Sequence, residues 1–86
     1  MAGDFLNFLF MKKILVEFDY GITTSPKGNA VVFFEIVRPD GKVCRNFGDN
    51  AVERSRKLSK VFGHELYLEI KELKEYTDKL YLSKNK

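Results

Sequence analysis

The chain has 86 residues, which predicts one small domain over residues 1–86. Its composition is 44% hydrophobic and 31% charged, too apolar for a disordered tail and too charged for a membrane protein. One Cys and one His exclude a disulfide framework and a Cys/His zinc site built within a single chain. A single Cys suits a reducing compartment, so we expect a cytoplasmic protein.

The positive charge of the chain is concentrated in one stretch. The formal charge is +3, yet residues 42–60 hold six basic and two acidic side chains, whereas residues 1–41 sum to −1 and residues 61–86 to zero. Concentrated positive charge on one element is typical of a phosphate-binding surface, although a solvated helix face gives the same pattern. The absence of Gln beside abundant Lys and Glu is typical of a thermophile composition.

The first ten residues, MAGDFLNFLF, permit two interpretations. Asp4 could cap a short helix whose Phe and Leu side chains dock on the core. Alternatively, Met11 is the natural start and residues 1–10 are an extension. A secretory signal is not expected, because Lys12 and Lys13 follow the apolar stretch rather than precede it.

Three strands are predicted next. Residues 13–20 alternate between apolar and polar side chains, which indicates a strand with one buried face, and residues 21–29 predict a polar loop. Residues 30–38 form a second strand, apolar on both faces except for Glu35. The Pro39-Asp40-Gly41 turn then leads into a third strand over 42–47, so the last two strands form a hairpin.

A helix is predicted from Asp49 or Asn50 to about Phe62, with Gly63 as its terminator. If Asn50 is the cap, Glu53 completes a capping box. One apolar stripe should face the sheet, formed by Ala51, Ser55, Leu58 and Phe62.

The remaining residues fit two periodicities. Alternation of Leu66, Leu68 and Ile70 favours a strand over 65–71 followed by a helix over 72–82, whereas Leu66, Ile70, Leu73 and Leu80 also fit a helical stripe. The predicted fold is α+β: a three- to four-stranded, mostly antiparallel sheet in β-β-β-α-β-α order, packed with one or two helices.

Enzymatic signals are weak, so we expect a non-enzymatic protein without a cofactor or a metal. Neither a GxxxxGK[ST] nor a GxGxxG run is present, which removes the usual phosphate-binding loops. Cys44 and His64 have no third group to complete a nucleophilic site, and Cys44 is more simply a small apolar side chain. His64 after Gly63 is expected to be a cation at a helix C-terminus.

The segments FDYGITTSPKGN, RPDGK and GDNAVE carry a strand Asp, a loop with glycines, a hairpin and a helix Glu. In this order they resemble the start of a ribonuclease H-like fold over about half of the chain. The resemblance implies a metal-dependent nuclease using Asp19, Glu35 and Glu53. HELYLEIKE departs from the pattern, because it lacks the second catalytic Asp of a fourth strand. The alternative is that these carboxylates are solvated.

Nucleic-acid binding, to DNA or RNA, is the main functional expectation. The residues predicted to contact phosphates lie in the third strand, the following helix and the flanking loops: Lys27, Lys42, Arg45, Arg54, Arg56, Lys57 and Lys60. The loop at 23–29 could offer hydroxyl groups and amides to phosphates, and Phe33 or Phe47 could stack on bases. The strand–strand–strand–helix order is similar to a double-stranded-RNA-binding domain, whose Lys/Ala-rich helix start is missing here.

A protein-interaction or homodimerisation module is the alternative expectation. Leu15, Val31, Phe33 and Val37 form a second apolar sheet surface behind the main core. The C-terminal helix, the N-terminal segment or a second subunit could cover it. No membrane partner is expected, because no apolar run approaches the ~20 residues that span a bilayer.

Overall fold

The computed structural model describes residues 17–84. Its elements in chain order are β1 (Glu17–Thr24), β2 (Ala30–Val37), β3 (Val43–Phe47), α1 (Asp49–Lys57), α2 (Ser59–Phe62) and α3 (His64–Lys84). The strands form one antiparallel sheet in the order β1-β2-β3. The α+β class is therefore confirmed. The predictions for residues 1–10 and for the first strand before residue 17 lie outside the described residues.

One face of the sheet builds the core with the helices. Phe18 and Tyr20 of β1 lie opposite Ile36 and Phe34 of β2, so these side chains share a face, as the alternation predicts. Residues of α1 and α3 close over that face. The buried apolar residues from β2 and the two helices are Val32, Phe34, Ile36, Ala51, Leu66 and Ile70. Both long helices therefore lie on the same side of the sheet.

Strand β1 ends four residues later than predicted, and the loop after it is correspondingly shorter. Ile22 continues the alternation of Phe18 and Tyr20, and it pairs with Val32 of β2. The expectation of a loop beginning at residue 21 was therefore wrong. The connection is confined to residues 25–29, where Ser25 N–H donates to Asn29 O at 2.7 Å.

The second connection matches its prediction. Gly41 N–H donates to Arg38 O at 2.9 Å, which closes a turn around Pro39 and Asp40. Strands β2 and β3 then pair as an antiparallel hairpin.

The helix predicted over residues 49–62 is divided at Leu58, whose φ of −100° and ψ of 16° interrupt the regular helix. The residue before α1 is Gly48, and no side chain caps this end. Capping by Asp49 or Asn50 was therefore wrong, and Glu53 pairs with Arg56 rather than reaching back to the helix start. The apolar stripe is confirmed by its four members, of which Ala51 and Ser55 are buried while Leu58 and Phe62 pack on the core.

The strand expected over 65–71 is wrong, because residues 64–84 form the single helix α3. Leu66, Ile70 and Leu73 of the predicted helical stripe face the core, and Thr77 is buried one turn further along. Leu80 is 40% exposed, so its place in the stripe was wrong. Gly63 separates α2 from α3 with φ of 102°, a conformation that side-chain-bearing residues rarely adopt. Over residues 17–84 the element order is therefore β-β-β-α-α-α. Within residues 17–84, α3 and the other helices are too short or too polar to cross a membrane.

The opposite face of the sheet, here called the open face, is covered by neither α1 nor α3. Its side chains follow from the strand register: Glu17, Asp19, Gly21 and Thr23 on β1; Val31, Phe33, Glu35 and Val37 on β2; Val43, Arg45 and Phe47 on β3. Of the three alternatives for covering this face, the C-terminal helix was wrong, because α3 packs on the core face.

Candidate nucleic-acid interface

The basic residues predicted from the sequence fall on two sides of the sheet. Arg45 lies on the open face, whereas the helical cations lie in the layer of α1 and α2 on the core side. Strand β3 connects the two groups, since α1 packs against it. Strand β3 is an edge strand, because within the described residues it pairs only with β2.

Two arginines flank this edge strand. On the open face, Arg45 forms an ion pair with Glu35, and its Nε lies 2.6 Å from Glu35 Oε1. The Arg45 side chain remains 54% exposed, so half of its surface is available to an external anion. On the core side, Arg54 reaches β3, and its Nη2 lies 3.7 Å from Cys44 Sγ. A strand edge with an arginine on each side can contact successive phosphates.

The outer surface of α1 continues the positive charge. Arg56 forms a two-point interaction with Glu53, with contacts of 2.7 and 3.2 Å. This hydrogen-bonded pairing raises the pKa of Arg56 and lowers the pKa of Glu53. Lys57 and Lys60 are exposed, and neither has an ion-pair partner within residues 17–84. Two ammonium groups are therefore available to an external anion without breaking an internal ion pair.

The fold adds an aromatic residue to this surface that the sequence analysis did not identify. Tyr67 of α3 is half-buried, and its ring centroid is 5.4 Å from that of His64. The pKa of Arg56 is raised mainly by Glu53, with a small contribution from the charge of Tyr67. The prediction of a strand over 65–71 concealed this proximity. Helical periodicity would have indicated it, because it places Tyr67 beside the core stripe rather than opposite it.

Lys27 and Lys42 lie at opposite ends of the sheet. Lys42 immediately precedes β3, next to the Arg38 turn. Lys27 lies in the loop between β1 and β2, which Lys84 holds against the end of α3 through Asn29 Oδ1 at 3.3 Å. The eight residues of β2 between them extend about 26 Å. One short ligand therefore reaches either Lys27 or Lys42 together with β3, but not both ends at once.

A groove of about 660 Å³ lies on the open face. Its floor includes Phe33 and Phe47, which are directly opposite each other across β2 and β3. The Phe33 ring lies over Gly21, where a Cβ would be in ordinary van der Waals contact with Phe33 Cε1 at 3.4 Å. The walls come from the end of β1, from the start of the β1–β2 loop and from charged side chains of the strands: Thr23, Thr24, Ser25, Pro26, Asp19, Glu35 and Arg45.

The residues considered for catalysis are dispersed. Cys44 contacts Arg54 and Asn46, whereas His64 contacts Tyr67. His64 is the first residue of α3, so the expectation of a helix C-terminal cation was wrong.

The three carboxylates of the nuclease hypothesis do not converge. Asp19 and Glu35 are neighbours on the open face, but Glu53 lies in the helical layer on the other side of the sheet. Across residues 17–84, the structure contains no group of three or more His, Cys, Asp or Glu side chains placed to hold a metal ion.

Comparisons of the chain with protein-family models, with curated proteins and with solved structures found no match.

Proposed function

We propose that this protein binds nucleic acid, without catalysing its chemistry, through the surface formed by β3, α1 and α2. The observation that supports the proposal is the pair of arginines on either side of edge strand β3, continued by exposed lysines. Arg45 and Arg54 flank the strand, and Lys57 and Lys60 extend the positive charge along the helices. Phosphates neutralised by such side chains release counterions, which favours binding at low salt.

The charge distribution supports this surface over the rest of the molecule. The excess of positive charge falls in residues 42–60, and the fold packs β3 and α1 of this stretch against each other. At the opposite edge of the sheet from β3, strand β1 carries Glu17 and Asp19, which would repel phosphates. A nucleic acid is therefore expected to approach from the β3 side.

A pair of matched variants tests the proposal. Lys57 and Lys79 are both exposed, and each lies four residues after a glutamate in its helix. Lys57→Gln should weaken binding up to about tenfold at about 50 mM salt. It should also reduce the magnitude of the slope of log K against log salt concentration by about 0.7–0.9. Lys79→Gln removes the same charge from α3 and should leave both values unchanged. Equal losses in the two variants, measured by fluorescence anisotropy, would show only a dependence on net charge and would refute this surface.

A second candidate, a homodimer formed through the open face, is favoured by the exposure of its apolar side chains. Val43 is 56% exposed and Phe47 is 45% exposed, although both lie in the sheet. Contiguous exposed apolar surface is characteristic of protein interfaces. Light scattering over a range of protein concentrations distinguishes the candidates, because a dimer would show a concentration-dependent mass that Phe47→Leu abolishes.

A further inference from the structure

We infer that the groove on the open face binds an unpaired nucleobase, so that the protein prefers single-stranded nucleic acid over a duplex. This inference rests on the proposed function and specifies its ligand. The groove volume of about 660 Å³ falls within the range of roughly 300–1,000 Å³ that is usual for small-ligand sites. A base and its sugar therefore fit within it.

The aromatic floor provides the stacking surface. Phe33 and Phe47 are a directly opposed cross-strand pair on the open face, which neither α1 nor α3 covers. The Phe33 ring extends towards β1 over Gly21, which widens the apolar floor across all three strands. A base presents its flat face to such a floor only when it is not stacked within a duplex.

The charges around the floor orient the nucleotide. Arg45 lies on the β3 side of the groove, next to the proposed binding surface of β3, α1 and α2. The phosphate of the nucleotide is therefore expected at this side of the groove. Asp19 lies on the β1 side, and one of its carboxylate oxygens accepts the backbone N–H of Tyr20 at 2.9 Å. The other oxygen can accept a hydrogen bond from an exocyclic amino group, as carboxylates do with cytosine N4.

Glu35 does not oppose this arrangement. It lies between the two sides of the groove, but Arg45 is its ion-pair partner and its side chain is only 20% exposed. The negative charge of Glu35 is therefore largely compensated by Arg45 near a bound phosphate. Arg45 still exposes enough of its side chain to contact that phosphate as well as Glu35.

The chain contains no Trp, so Phe47→Trp introduces a fluorescent reporter at the groove alone. The probes are an oligodeoxycytidine of about eight nucleotides, an abasic oligomer with the same phosphates, and a duplex of equal length. At saturation judged by anisotropy, the base-bearing single strand should change the Trp emission. The abasic oligomer and the duplex should not. Unchanged emission with all three bound probes would overturn the inference.

Affinity measurements with Phe47→Leu provide an independent test. The variant should lose at least about fivefold in affinity for oligodeoxycytidine, the lower end of the effect of one stacked base, and bind the abasic oligomer as the original protein does. Tyr76→Leu is the matched control, because Tyr76 is a similarly exposed aromatic residue on α3. Equal affinities of Phe47→Leu and the control for oligodeoxycytidine would overturn the inference.

The two proposals fail in distinguishable ways. If Lys57→Gln weakens binding whereas Phe47→Leu does not, the phosphate-binding surface stands and the base site is refuted. If no probe binds at low salt, the proposed function itself fails. A concentration-dependent mass that Phe47→Leu abolishes would instead assign the open face to a second copy of the chain.

Discussion

The energetic contrast between Ile70 and Leu68 tests whether residues 64–84 form a helix on the core face. In a strand over 65–71 these two side chains would share a face. In α3, by contrast, Ile70 is fully buried and Leu68 is 44% exposed. Replacement of Ile70 by Ala removes three buried carbon groups at about 0.8 kcal/mol each, and the cavity raises the loss to about 3–4 kcal/mol. Leu68→Ala removes the same number of carbons with roughly half of their surface buried, a loss of about 1 kcal/mol.

Urea unfolding followed by far-UV circular dichroism measures both losses. In thermal unfolding, the melting temperature should fall by about 12–30 °C for Ile70→Ala and by less than about 8 °C for Leu68→Ala. Equal losses of unfolding free energy in the two variants would refute the helical assignment, because only a strand places the two side chains in equivalent positions.

Two further predictions concern local contacts. The hydrogen bond from Tyr20 to Glu69 raises the pKa of Tyr20 above its ordinary value of 10.0. The stability that this hydrogen bond contributes is therefore fully present below pH 10.0, and it is lost as the pH rises through the raised pKa. Tyr20→Phe should therefore lower the free energy of unfolding by about 0.5–1.5 kcal/mol at neutral pH, and its stability should fall less at alkaline pH than that of the original protein. An identical fall in stability at alkaline pH in the two proteins would contradict this. Gly63→Ala should cost about 1–3 kcal/mol in urea unfolding, because Gly63 has φ of 102°, and an unchanged midpoint would contradict the strain argument.

The first strand was predictable from its alternation of apolar and polar side chains, and the next two strands from their apolar composition and the turn between them. Phe18 and Tyr20 are separated by polar residues, and the Pro39-Asp40-Gly41 turn fixes the second hairpin. The extension of β1 was also encoded, since Ile22 continues the alternation, but the neighbouring Gly21 and the threonines obscured it.

The helix predicted over 72–82 is confirmed as part of α3, but the beginning of α3 was predicted as a strand because its first apolar residues fit periods of both 2 and 3.6 residues. Only packing against β2 distinguishes them, since burial selects Leu66 and Ile70 and excludes Leu68. Thr77 completes the buried stripe, although its hydroxyl gave no apolar signal. That hydroxyl donates to the backbone of Lys74 at 2.9 Å, which satisfies it within the helix.

The candidate interface was predictable in charge but not in shape. The basic stretch over residues 42–60 is contiguous in the sequence, so its charge excess could be counted directly. The placement of Arg45 and Arg54 on opposite sides of β3 required the sheet register and the position of α1. The pairing of Phe33 with Phe47 likewise depends on the hairpin register, which residue types alone do not specify.

The salt dependence of single-strand binding tests the central claim most directly. Fluorescence anisotropy with a labelled oligodeoxycytidine, from low to physiological salt, should give a linear fall of log K with log salt concentration. Contacts from Arg45, Arg54, Lys57 and Lys60 predict a slope of about −2 to −3, at about 0.7 per phosphate on a single strand. Absence of binding at low salt, or binding that is independent of salt, would contradict the account.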